Sequence, residues 1–209
     1  MVDALSDSTA GPTPLLQAHA VSLSIEGRRL FTDLSFSVRP GLTLLQGGEG
    51  RGKSLLLALM AGERVPDAGR VQRPAPTLYV ERPECDAHDA TVARDWLQAQ
   101  RNVHAAWQAP VAEALVEAFG LAEHLGKPMF MLSTGSRRKV GLVAAAASGA
   151  ALTLLDQPYA ALDGRSSRVL SELLREAAEG RIRAWVIADH ALPLGLAGVA
   201  LAGVIDLGD

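Results

Sequence analysis

Cysteine is nearly absent from this chain of 209 residues: Cys85 stands alone, so no internal disulfide can form. That fits a reducing, cytoplasmic setting. A strong charge of one sign is lacking too. The formal net charge is −3 with 21% charged residues, which gives no reason to expect nucleic acid as the main partner. The start has neither the basic residues nor the apolar core of a secretory signal. Residues 1–14 carry acids, serines and prolines and read as a flexible tail. Residues 191–205 carry no charge, but Pro193, Gly195, Gly198 and Gly203 interrupt them. They fall short of the roughly 20 residues that span a bilayer, and they read as short buried strands. Internal repeats and low-complexity blocks are missing as well.

What is present is enough apolar material for a sizeable core, 48% of the chain. Apolar runs from His19 to Val38 break at Glu26-Gly27, and Leu34, Phe36 and Val38 alternate with serines as in a half-buried strand. Leu42 to Leu45 reads as a strand buried on both faces. A helix is expected from Lys53 to Ala61, stopped at Gly62. Pro66-Asp67-Ala68-Gly69 reads as a turn and Thr77 to Val80 as a strand. From about residue 84 the pattern is helical, with Val111, Ala114, Leu115, Ala118 and Phe119 on one face. That face is expected in the core, with a docking surface as the alternative. A helix over Arg137 to Ala147, a strand at Leu152 to Leu155, a helix carrying Val169 to Ala177 and a strand at Ala184 to Ala188 follow. Strand–helix alternation of this kind indicates an α/β fold around a parallel sheet.

The densest chemical signal is Gly47-Gly48-Glu49-Gly50-Arg51-Gly52-Lys53-Ser54, which fits G-x-x-x-x-G-K-[ST] between a buried strand and a helix. Gly47, Gly50 and Gly52 let the backbone turn its N–H groups inward around phosphate oxygens. Lys53 would reach the β- and γ-phosphates and Ser54 would ligate Mg²⁺. The bland alternative is a strand–helix turn that is merely glycine-rich. Leu152-Thr153-Leu154-Leu155-Asp156 is an apolar strand ending in a carboxylate, as in phosphate-loop NTPases, where that acid supports Mg²⁺. Alone it would read as an ordinary acidic strand end.

Further segments, in order, resemble the ATP-binding cassette family over about residues 18–209. Leu132-Ser133-Thr134-Gly135-Ser136 is similar to the signature, Gln157-Pro158 follows Asp156, Ala160-Ala161-Leu162-Asp163 is similar to the D-loop, and Asp189-His190 to the switch-histidine segment. The compact start, Leu30-Phe31 and Leu34-Ser35-Phe36, resembles the small haem-exporter ATPase subunits of cytochrome c maturation. The resemblance implies a phosphate-loop NTPase fold over residues 15–209. Its parts would be a mostly parallel core sheet, an N-terminal antiparallel β-subdomain and a helical subdomain at about 84–136. It implies ATP and Mg²⁺ as ligands and two cassettes packed head to tail, as a homodimer or heterodimer. Ser133 and the Gly135 backbone would then meet the γ-phosphate of the partner's site, Asp163 would communicate between sites, and His190 would contact the γ-phosphate. Ser133 and Asp163 have a second reading as helix caps. Arg137-Arg138-Lys139 reads as a solvated helix face.

Several positions depart from the family pattern. Gln157 stands where the catalytic glutamate is usual, and a neutral amide can orient water but cannot take its proton. Slow hydrolysis is therefore expected. Glu81, followed by Arg82-Pro83, stands at the Q-loop glutamine. It is read either as a magnesium ligand and substitute base or as a surface acid paired with Arg82. Ile25 aligns with the aromatic adenine platform, so base discrimination should be loose, and Phe31 reads as core. Cys85 and His88 are spaced like two metal ligands, but no second pair completes a zinc site.

The leading expectation is an ATPase subunit held to the cytoplasmic face of the inner membrane by a separate transmembrane permease. The alternative is a nucleotide-gated clamp that serves a soluble partner with little hydrolysis. A small-molecule kinase would account for the phosphate loop but not for the signature or His190.

Overall fold

The computed structural model describes residues 13–73, 77–81 and 86–208. Most of the expected tail, together with Arg82, Pro83 and Cys85, lies outside them. Two sheets organise the chain. A smaller antiparallel sheet has the order β2–β1–β4, from Leu16–Ile25 (β1), Arg28–Val38 (β2) and Ala68–Gln72 (β4). The second is parallel, with the order β5–β6–β7–β3–β8. Its strands are Gly41–Gln46 (β3), Leu78–Val80 (β5), Leu152–Asp156 (β6), Ala184–Asp189 (β7) and Gly203–Asp206 (β8). The fold is therefore α/β, with the parallel and antiparallel sheets that the sequence led one to expect.

Strand alternation divides the core in two. Leu152 and Leu154 of β6, with Ala184 and Val186 of β7, face helix α1 (Lys53–Ala61) and the antiparallel sheet. Leu155, Trp185 and Ile187 face the opposite way, toward helices α4 (Thr134–Ala147) and α5 (Gly164–Glu179). Two further helices, α2 (Ala93–Val103) and α3 (Ala109–Ala118), lie in the chain between β5 and β6. Helix α3 packs against the second core through half-buried Val111, Ala112, Leu115 and Val116, with Phe119 buried just beyond its end, while Ala114 of the expected stripe is exposed. Arg183 fastens the far end of α4: its guanidinium donates to the carbonyls of Ala145, Ala146 and Ala150 and lies over the Trp185 ring.

Three expectations change. Residues 191–202 form no strand: a short 3₁₀ turn spans Leu194–Leu196, and Leu194 is 94% exposed, so only β8 is a strand there. The turn expected at residues 66–69 runs directly into β4, which pairs with β1. A short edge strand with little burial leaves no hydrophobic alternation to read. Arg137-Arg138-Lys139 is not a solvated face, because Arg138 is 4% exposed and Arg137 pairs with Asp89 at 2.8 Å.

Candidate nucleotide site

Loops that leave the carboxyl ends of parallel strands are where such folds bind ligands. Here β3 leads into the glycine-rich loop, β6 ends at Asp156 and β7 ends at Asp189. The loop opens α1 through Gly52, whose φ of 94° is left-handed and suits glycine. No side chain caps this helix start, which leaves its first N–H groups and the positive end of the helix dipole for an anion.

Lys53 is the first residue of α1 and is 6% exposed. Its ammonium donates to the carbonyls of Gly47 at 2.6 Å and Gly48 at 2.8 Å, closing the loop on itself. Two of its three N–H bonds are thereby engaged. The loop is also moored from behind. Arg51 donates to the carbonyl of Leu207 through Nε and Nη2, at 3.1 and 2.9 Å. The Gly48 N–H donates to Gly208, and Gln46 Nε2 donates to Asp206 at 2.8 Å. The Gln46 and Gly208 donors hold the Asp206 carboxyl below its usual range.

A cleft of about 690 Å³ lies over this loop. Glu49 through Leu55 form its floor, Gln157 and His190 one part of its wall, and Ile25, Glu26, Arg28 and Leu30 another. The cleft thus gathers the phosphate loop, the residue after Asp156 and the residue after β7. Among the described residues no phenylalanine, tyrosine or tryptophan lines it. Ile25 does, and so does Arg28, which sequence reasoning missed. An arginine after a Glu-Gly turn has no spacing signal; only the hairpin β1–β2 brings it over Gly50, where Nη1 would lie 3.8 Å from an added β-carbon.

The Asp156 carboxylate is part-buried, and its Oδ1 has no hydrogen-bond partner. A shielded carboxylate oxygen without a partner, one residue before the cleft-lining Gln157, fits a hard divalent cation. Gln157 is exposed toward the cleft, with φ of 44°, and its N–H donates to Ala188 at 2.8 Å. His190 is exposed, and its N–H donates to the Asp189 carboxylate at 2.7 Å.

Glu81 is placed differently. It is 3% exposed and packs against α4, with Oε1 2.9 Å from where a β-carbon on Gly141 would stand. It does not line the cleft, and it is not a surface acid. Beside it, the Tyr79 hydroxyl donates to the Gly141 carbonyl at 2.9 Å, and burial followed by the Glu81 charge pushes that phenol well above its usual range.

Ser133, Gly135 and Asp163 also lie away from the cleft. Ser133 caps α4, its Oγ accepting from the Ser136 N–H at 3.1 Å. Asp163 caps α5, accepting from Ser166 N–H at 2.8 Å and Ser166 Oγ at 3.1 Å. Those donors lower its carboxyl below the usual range, with Lys139 adding to the effect. His88 sits in a 3₁₀ turn with its ring against Trp96. Among the described residues no group of three or more acids, histidines or cysteines could hold a metal ion.

The profile of the ABC transporter family matches residues 31–160. The chain belongs to that family, as an ATP-binding domain. It is 40% identical over 171 residues to a cytochrome c biogenesis ATP-binding export protein of Novosphingobium aromaticivorans, covering 81% of this chain and 84% of that one. A zinc import ATP-binding protein of Halorhodospira halophila is 33% identical over 202 residues, covering 94% and 75%. An ABC transporter ATP-binding protein of Pyrococcus furiosus superposes with a TM-score of 0.74 at 18% identity, covering 92% and 96%, which supports the fold. This ABC protein is thus the ATP-binding ATPase subunit of a transporter. Among the described residues no helix is long and apolar enough to cross a membrane.

Proposed function

We propose that this subunit holds Mg-ATP between two cassettes, docks on a separate transmembrane permease, and hydrolyses ATP slowly. The observation that carries the slow step is Gln157, which lines the cleft beside Lys53 and His190 where the family places a glutamate. Its amide can orient an attacking water but cannot accept the proton. Ser54 and Asp156 would hold the magnesium, which supplies charge neutralisation at the phosphates. The orphaned Oδ1 of Asp156 supports that assignment.

In a paired arrangement, Ser133 and Gly135 of one cassette would serve the phosphate loop of the other. Their position away from their own cleft is consistent with that division. Docking on a permease would place the chain on the cytoplasmic face of a membrane. Relatives are named for zinc import, taurine import and export in cytochrome c biogenesis. Cargo would be set by the permease, while the cassette chemistry is shared.

Single-turnover hydrolysis tests the slow step. Gln157→Glu should accelerate it by about 10²-fold or more, as a general base does, and Lys53→Ala should abolish it. Equal rates for the parent and Gln157→Glu would refute the role given to Gln157. Co-purification of a membrane subunit from detergent extracts would favour the transporter over a soluble clamp.

A further inference from the structure

A buried arginine sits on the helix that Ser133 caps. Arg138 lies in the second turn of α4, and among the described residues no carboxylate pairs with it. Its Nη1 donates to the carbonyl of Asp156 at 3.0 Å and also to the carbonyl of Gln157. Two consecutive carbonyls face one guanidinium only if the peptide between them is turned. Gln157 is in the left-handed region, φ 44°, which a residue with a side chain adopts when its surroundings impose it. Its own N–H is fixed from the other side by Ala188. The turn is thus gripped by β7 and by α4.

We propose that Arg138 is a positioning residue of the nucleotide site. From the signature helix it holds the 156–157 turn, keeping the Asp156 carboxylate at the strand end and the Gln157 side chain in the cleft. Two neighbouring contacts run parallel to it. The Ala161 carbonyl abuts Gly135, and Lys139 lies 3.8 Å from Asp163. The first turns of α4 and residues 156–163 therefore form one body, and a displacement of the signature end of α4 is passed to the turn that carries Asp156. The inference rests on the reading of Asp156 as the magnesium acid.

The alternative is that Arg138 only staples a helix to a sheet. Mn²⁺ separates the two. Its affinity for the ATP-loaded protein is read by electron paramagnetic resonance, alongside metal-free ATP affinity and melting temperature, in Arg138→Met, Arg138→Lys and Asp156→Asn. Positioning predicts that Arg138→Met leaves metal-free ATP binding within about twofold but weakens Mn²⁺ about tenfold, the usual size for a group that orients a metal ligand. Arg138→Lys, which keeps the charge and can restore one donor, should recover part of that loss. Should Arg138→Met not fold, the lysine variant is judged alone: weaker Mn²⁺ with unchanged ATP affinity supports the proposal. Unchanged Mn²⁺ affinity, or a parallel loss of ATP and Mn²⁺ binding, overturns it. Asp156→Asn separates the two failures. If it leaves Mn²⁺ affinity intact, the role of Asp156 falls and the inference falls with it. If it weakens Mn²⁺ while the Arg138 variants do not, only the inference falls.

Discussion

The carbonyl oxygen of Ala161 abuts the α-carbon of Gly135 so closely that no side chain fits between them. The middle of the signature thus packs directly on the backbone of the D-loop of its own chain. Gly135→Ala should push the two segments apart. Overpacking of this kind costs about 1–3 kcal/mol. Urea denaturation would measure it, and an unchanged midpoint would mean that the loop yields freely.

Ser133 caps a helix and is also assigned to a phosphate, and one substitution distinguishes these roles. Aspartate caps as well as serine does, whereas alanine loses about 1 kcal/mol. Ser133→Asp should therefore keep the melting temperature of the parent while Ser133→Ala lowers it. If Ser133 also meets a γ-phosphate, the added charge in Ser133→Asp should abolish ATP-dependent dimerisation on gel filtration. Retained dimerisation would confine Ser133 to capping.

Arg28 lines the cleft together with Ile25, the residue at the position of the aromatic platform. A guanidinium can stack on any base or meet a phosphate, so ATP and GTP should bind with similar affinity. Arg28→Ala should weaken both by about 2–30-fold, corresponding to about 0.5–2 kcal/mol of stacking. Fluorescence titration with each nucleotide checks this, and unaltered affinity would remove Arg28 from the site.

His104 follows α2 with its ring 5.8 Å from that of Tyr79, and burial lowers its pKa. The unfolded chain takes up this proton at about pH 6.5, the folded chain only at lower pH. Between those two values the unfolded state binds more protons. Stability from this group is therefore full above about pH 6.5 and declines as pH falls through the folded value. Melting temperature should drop as pH falls below about 6.5, and His104→Asn should flatten that slope. A slope unaltered by His104→Asn would assign the effect elsewhere.

The phosphate loop was legible because it is local: a strand, a glycine pattern and a lysine at fixed spacing fall within a dozen or so residues. Lys53–Ala61 begins and ends where the sequence placed it. What the sequence hid is non-local. Arg138 looks solvated in a run of cations, and only the approach of β6 supplies the carbonyls that bury it. Glu81 reads as a loop acid until α4 closes over it at Gly141. Arg28 enters the cleft because a hairpin folds it there. The stretch before β8 has strand-like composition, but Leu194 points to solvent, and composition carries no direction.

The mooring of Gly48 and Arg51 to residues 207 and 208 has a practical side. The residues that follow β8 behave as a splint for the nucleotide loop, although they come some 150 residues later in the chain. Loosening residues 206–208, for example with Asp206→Ala, should slacken the grip on ATP while leaving the rest of the fold in place. A weakly binding variant would then report a loosened splint rather than an altered cleft chemistry.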